Sequence, residues 1–247
     1  MRAAAGGVGD ERGGRAGPGV TRAPAGPGMS GAEPAVIVMA RAPRRGEVLR
    51  ALEPMLGVDG CLSLAVALLV HAVAWAQDVA PGAVNVAHDP PDAGRDLRPL
   101  LGPEAILFPQ KGAGIAARLA DAAARVFSRH DGPLLIVWPD LPRLRGEHAS
   151  AALGDLCAGC DVVLGPVIEG GLYLIGIARP VPRLFALPEQ TWRSDAMTVG
   201  LSAIREARLE VGMLRAERAL HRPADVRAAV ADPLLPDWLG RVLRRGE

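Results

Sequence analysis

The chain has 247 residues, a formal net charge of +1 and 49% hydrophobic residues. That is enough for one large domain or two small ones with an ample core. The near-neutral charge lacks the basic excess of a nucleic-acid footprint, and 3% aromatic residues leave no base-stacking platform.

Met1 to about Ala32 is Gly, Ala, Pro and Arg with almost nothing large and apolar. Such a segment cannot offset its ordering entropy, so 1–32 reads as a disordered tail. It lacks the apolar core of a signal peptide. Met29, just before the first strand, is an alternative translation start.

Ala35–Ala40 reads as the first strand and runs into Arg41-Ala-Pro-Arg-Arg-Gly-Glu-Val48. Arg41, Arg44 and Gly46 there offer guanidinium forks and backbone N–H groups to phosphate. A plain solvated arginine loop is the competing reading. A short helix is expected over Val48–Leu56 and a long one over Asp59–Gln77. Within the latter, Ser63 and His71 interrupt the apolar stretch Cys61–Ala76, which is too short for a comfortable membrane span and reads as a buried or amphipathic helix. No membrane partner is expected.

Ala83–Ala87 is a second strand, Pro91–Leu101 a helix and Ala105–Phe108 a third strand. Gly112–His130 has a helical period, with Ile115, Leu119, Ala122, Ala123 and Val126 on one side. Gln110, Lys111 and Gly114 stand at its start, with Arg118 one turn further in.

Leu134–Trp138 is an unbroken, branched, apolar run bounded by Pro133 and Pro139. That suits a strand covered on both faces in the middle of a parallel sheet. Asp140 follows just beyond its C-terminal end, where open α/β sheets bind ligands. Asp140 either holds a divalent cation and, through it, a phosphate, or caps the following helix.

A helix over Gly146–Cys157 and a strand over Asp161–Leu164 come next, then Gly165-Pro-Val-Ile-Glu-Gly-Gly171 and a strand over Leu172–Ala178, a candidate antiparallel one. Leu184–Leu187 is a short piece and Ser194–Ala207 a helix capped by Ser194. Leu209–Leu214 is the last strand. Pro223–Val230 and Leu235–Arg244 are helices. Alternating strands and helices imply one domain over 33–247, a three-layer α/β/α fold around a mainly parallel sheet. Of the three cysteines, Cys157 and Cys160 form a lone C-x-x-C, read as small buried thiols rather than a zinc site. A reducing cytoplasm is the expected setting.

Several stretches now line up: Val-Ile-Val-Met-Ala-Arg-Ala-Pro (36–43) with Gly46-Glu-Val48, Pro109-Gln-Lys-Gly112 with Arg118, Asp140-Leu-Pro142, Asp161-Val-Val-Leu-Gly-Pro166, Glu169-Gly-Gly-Leu-Tyr-Leu-Ile-Gly176, Leu184-Phe185 and Trp192-Arg-Ser194. Together they resemble the bacterial radical-SAM/selenodomain-associated, arsenosugar-biosynthesis-type glycosyltransferases, which have a GT-A nucleotide-diphospho-sugar transferase fold. The resemblance covers most of 35–230. It implies a glycosyltransferase-like or nucleotidyltransferase-like enzyme with a nucleotide-activated donor, an acceptor of unknown identity, and Mg²⁺ or Mn²⁺ bound only with nucleotide. Asp140 would be the metal ligand, Glu169 the catalytic or second-ligand carboxylate, and Arg41, Arg44, Gly46, Gln110, Lys111 and Arg118 the nucleotide side. Gly170, Gly171 and Trp192 would meet the substrate, Trp192 serving equally as core; Tyr173 reads as core.

The departures point the other way. Leu49 and Ala51 stand where the family has Lys and Arg, Glu169 where it has Asp, and Ala219 and His221 where it has acids. Only Asp225 remains of that late acidic run. His221 reads as a neutral surface or packing residue. The alternative is a catalytically impaired GT-A-like domain that binds a nucleotide or a protein partner.

Overall fold

In the computed structural model residues 32–187, 192, 201 and 204–244 are described. Apart from Ala32, the tail expected to be disordered lies outside them. So does most of the helix expected over Ser194–Ala207, of which 201 and 204–207 are described, 201 and 204–206 as helix and 207 as turn.

Seven strands form one sheet: β1 (Ala35–Arg41), β2 (Val84–Asp89), β3 (Ile106–Pro109), β4 (Leu134–Val137), β5 (Val162–Pro166), β6 (Leu172–Ile177) and β7 (Val211–Met213). Their order is β3-β2-β1-β4-β6-β5-β7. β6 runs antiparallel to β4 and β5, and the other neighbouring pairs are parallel. β4 is therefore the middle strand, as its doubly apolar sequence implies. Its residues alternate between two cores: Leu135 and Val137 pack on one face, Leu134 and Ile136 on the other.

Helices α1 (Glu53–Val79), α2 (Gly94–Leu101) and α4 (Gly146–Cys157) cover the first face with Leu69, Trp75, Leu97 and Leu156. Helices α3 (Ile115–Phe127) and α5 (Pro182–Phe185) cover the second with Leu119, Val126 and Leu184. A satellite core joins the first half of α1 to α6 (Pro223–Ala231) and α7 (Asp237–Arg244) through Leu64, Val226 and Leu239. Each such side chain, fully buried, contributes about 1.5–3 kcal/mol.

Two expectations change. The two helices expected before β2 meet at Gly57, whose φ 66° and ψ 171° are not helical, but the first is shorter than expected, opening with a 3₁₀ turn at Arg50–Leu52 instead of at Val48. Neither Ser63 nor His71 breaks helical geometry; counted across the Gly57 break, Arg50–Val79 is long and apolar enough by length and composition alone to cross a membrane, a test that a buried core helix also passes. Its inner face, with Leu64, Leu68, Leu69, Ala72 and Val73, packs into the protein core. The second change concerns Cys157, which is exposed because the last turn of α4 buries Leu156 instead; Cys160 is half-buried.

β5 and β6 form a hairpin over Tyr173. That ring is fully buried, as its strand position implies, and its hydroxyl donates to Arg215 O at 3.3 Å. Burial pushes the phenol up to about 12. Gly165 lies opposite, where a Cβ would stand 2.6 Å from the Tyr173 ring.

Candidate functional site

The C-terminal ends of β1, β2 and β4 open on one edge of the sheet. Asp140, three residues past β4, lies between two cavities and lines both. One, of about 210 Å³, is walled by Ile115, Trp138, Gly170, Gly171, Trp192 and His221. The other, of about 170 Å³, includes Arg41, Glu47, Val48 and Leu49 in its wall. Asp140 does not cap the next helix, whose N-cap is Arg145. Its Oδ1 is buried with no hydrogen-bond partner, and its Oδ2 lies 2.5 Å from His221 Nε2.

A strap, residues 217–222, brings His221 there. Ile168 N donates to Glu217 O, Glu217 N to Pro166 O, and Leu220 N to Asp140 O, at 2.9–3.0 Å. The strap thus stitches the β5–β6 hairpin to the turn after β4. Its far end is held by Asp225, a buried carboxylate that accepts from His221 N (3.2 Å) and Arg222 N (2.8 Å) and pairs with Arg218 (3.2 Å). Asp225 therefore belongs to the start of α6 rather than to the cavity. The hydrogen bond to Asp140 raises the His221 pKa above its ordinary value, against the lowering effect of burial. The expectation of a plain surface or packing residue is corrected by its place, since His221 lines the cavity and pairs with Asp140.

Glu169 stands at the exposed tip of the hairpin, 3.5 Å from Arg222 Nη1 and 3.8 Å from Arg218 Nη1. Gly170 (φ 98°) and Gly171 (φ 84°) turn the chain back in a conformation that side chains disfavour, and the bare backbone faces the cavity. Trp192, half-buried, stacks on Phe185 at 6.0 Å, and its Nε1 is buried without a partner. It therefore serves the core and the cavity wall together.

A second corner lies over β1–β3. Arg41 and Arg118 converge on Asp89 Oδ2, at 3.7 and 3.2 Å. Gln110 donates to Ala40 O and Ala87 O and lies 3.4 Å from Arg118 Nη1. Lys111 and Gly46 are exposed at the same edge. Arg44 is drawn away: Asp96 and Asp92 hold its guanidinium at 2.7 and 3.1 Å and raise its pKa.

No group of three His, Cys, Asp or Glu side chains placed to hold a metal occurs among the described residues. Asp140, with its unpartnered oxygen, fits an ion that takes much of its shell from substrate phosphates. Sequence reasoning missed Asp89, Arg218 and Arg222. Their signal is long-range pairing, which no local motif carries.

Residues 72–189 match the family model DUF2064, described as an uncharacterized protein conserved in bacteria. No curated protein matches the chain. Among solved structures, a putative nucleotide-diphospho-sugar transferase from Desulfovibrio desulfuricans G20 aligns with a TM-score of 0.70 at 21% identity, over 87% of this chain and 98% of that one. A cytidylyltransferase from Leptospira borgpetersenii serovar Hardjo-bovis (strain JB197) gives 0.52 at 10% identity, over 87% and 94%. A 4-diphosphocytidyl-2C-methyl-D-erythritol synthase gives 0.51 at 12%, over 81% and 99%. At these identities the likeness is one of fold. The chain has the α/β fold of nucleotide-diphospho-sugar transferase-like structures.

Proposed function

We propose that this chain is a nucleotide-dependent transferase, glycosyltransferase-like or nucleotidyltransferase-like, acting on a nucleotide-activated donor and a small acceptor. The observation that carries the reading is Asp140, placed past the central strand and shared by two cavities of different chemistry. The cavity beside Arg41 suits phosphate, with Arg118, Gln110 and Lys111 along the same edge. The cavity beside Gly170, Gly171 and Trp192 suits the transferred group or the acceptor, and Glu169 is the acceptor-side carboxylate. A divalent cation at Asp140 would neutralise the departing phosphates. The side chains position both substrates and stabilise charge as the acceptor oxygen bonds to the donor and the phosphate leaves. The names of the structural neighbours, a nucleotide-sugar transferase and a cytidylyltransferase among them, and the resemblance to selenodomain-associated transferases support a nucleotide ligand. A cytoplasmic setting is part of the proposal.

One observation favours the second reading, a binding module without turnover. Arg41 is accompanied in its cavity wall by Glu47, Val48 and Leu49, with no second basic side chain among the lining residues. A thermal-shift panel of nucleoside triphosphates and nucleotide sugars, with and without Mn²⁺, tests both. Metal-dependent stabilisation with slow donor hydrolysis supports the transferase. Metal-independent stabilisation without hydrolysis supports the binding module, and no shift with any nucleotide overturns both.

A further inference from the structure

We propose that the groove between α1 and α7 is a second ligand site, for a small molecule with an aromatic body, a hydroxyl that donates to His71 and an acid group that meets Arg241. This goes beyond the transferase reading and does not depend on it. The groove has a volume of about 410 Å³, with Ala67, Val70, His71 and Ala74 of α1 facing Trp238 and Arg241 of α7. None of these residues lines either cavity at Asp140. Its size and make-up are those of small-molecule pockets, which have apolar walls and a few converging polar groups.

The α1 wall is written in the sequence. Ala67, Val70, His71 and Ala74 recur at three- and four-residue spacing and form one stripe. The opposite stripe, with Leu68, Leu69, Ala72 and Val73, packs into the core. A surface helix keeps polar residues on its outer face, yet here Val70 is apolar and 41% exposed. Both walls are anchored as well. Trp75 Nε1 donates to Arg145 O at 2.8 Å, and Arg143 pairs at 2.6 Å with Asp232, in the turn before α7. Fixed walls lower the cost of binding.

His71 supplies the polar point. Its ring makes a hydrogen bond with the Leu144 backbone, and its Nε2 is buried with no partner. The Leu144 bond therefore belongs to Nδ1, which donates to the carbonyl. Burial lowers the His71 pKa despite that bond, so the ring is neutral and Nε2 is a lone-pair acceptor. A buried acceptor without a donor is costly, and a ligand hydroxyl would satisfy it. The Trp238 ring sits beside the imidazole, 5.0 Å between centroids at a 33° tilt. The ligand shifts this half-buried indole, which opens Nε2 and offers an aromatic face to the ligand ring. Arg241 is exposed and pairs with no carboxylate among the described residues, so it is available to the acid group.

The test uses the full chain with para-hydroxyphenylpropionate as probe. Para-methoxyphenylpropionate and phenylpropionate keep the ring and acid but lack the donor. NMR titration follows the Trp238 indole N–H signal, assigned by its loss in Trp238→Phe. The hydroxy probe should move that signal, and the two analogues should bind about tenfold or more weakly. His71→Phe should bring the three probes to equal affinity. Arg241→Gln should weaken all three about two- to fivefold. Val70→Trp, at an exposed position, should fill the groove and abolish binding with the melting temperature unchanged, which keeps the test readable if His71→Phe misfolds. No shift of the Trp238 signal at millimolar probe, equal affinity of wild type for all three probes, or binding that survives Val70→Trp overturns the proposal. Co-sedimentation with phosphatidylserine–phosphatidylcholine vesicles, or self-association on concentration, lost in either case in Val70→Asp, would give the stripe to a membrane or a second copy and also overturns it.

Discussion

The two corners of the candidate site are built by different means. Over the parallel strands β1–β3, polar side chains come from the last residue of a strand or the residue just after it. Arg41 ends β1, Asp89 ends β2 and Gln110 follows β3. They are largely satisfied by one another and by backbone. Over β4–β6–β5 the local chain supplies Asp140 and the Glu169 turn, and their partners arrive from the strap at 217–222. That corner keeps an unsatisfied carboxylate oxygen. The first corner is a set of charges paired with one another, and the second leaves one carboxylate oxygen, Asp140 Oδ1, without a hydrogen-bond partner.

The largest test of this contrast removes the support under the second corner. Tyr173→Ala should cost about 3–5 kcal/mol in denaturant unfolding, because the ring is fully buried beneath the hairpin and its hydroxyl is paired. Gly165→Ala should cost about 1–3 kcal/mol by forcing a methyl into that ring. A loss below about 1 kcal/mol for Tyr173→Ala would show that the hairpin does not rest on it.

Next comes the strap. Asp225→Ala leaves two backbone N–H groups and Arg218 without their acceptor, so unfolding stability should fall by about 1–3 kcal/mol. Asp225→Asn should matter less than Asp140→Asn for metal-dependent binding. Equal effects of the two Asn variants on that binding would move Asp225 into the site and blur the distinction drawn here.

The first corner is probed by arginine. Arg118→Ala and Arg41→Ala should each weaken nucleotide binding by about 1 kcal/mol, a modest loss because both side chains are partly solvent-screened. Arg44→Ala should leave affinity unchanged, since its guanidinium already serves Asp96 and Asp92. Titration calorimetry checks all three, and a larger loss from Arg44 than from Arg118 would reverse the assignment.

These outcomes also mark what the sequence makes legible. The apolar run at Leu134–Val137, flanked by prolines, identifies the middle strand without help, because a doubly buried strand has few other ways to read. The strand-end positions of Arg41, Gln110 and Asp140 follow from the same local pattern. His221 does not: its role is set by a strap that lies 81 residues along the sequence from Asp140, and an exposed His between a buried Leu220 and an exposed Arg222 carries no periodic signal. Arg44 shows the converse. Its loop suits phosphate, but Asp96 in the first turn of α2 and Asp92 in the turn before it come within reach, and pairing wins over ligand access.

The smallest expected effect is on pH. The folded-state pKa of His221 is raised by Asp140. Its contribution to stability is therefore fully present below the ordinary value of 6.5 and is lost as pH rises through the raised folded value. Melting temperatures of wild type and His221→Gln should differ most at the acidic side of that window and converge above it. The difference will be small, because the side chain is 42% exposed and screened. A gap that widens with rising pH would contradict the pairing.

The central claim is that Asp140 couples a cation to nucleotide binding. The direct measurement is calorimetric titration of wild type and Asp140→Asn with a nucleotide ligand found in the thermal-shift panel, with and without Mn²⁺. The account predicts that Mn²⁺ tightens binding to wild type and that this metal-dependent part vanishes in Asp140→Asn, leaving the weaker metal-free affinity intact. Identical Mn²⁺ enhancement in both proteins, or none in either, would contradict it.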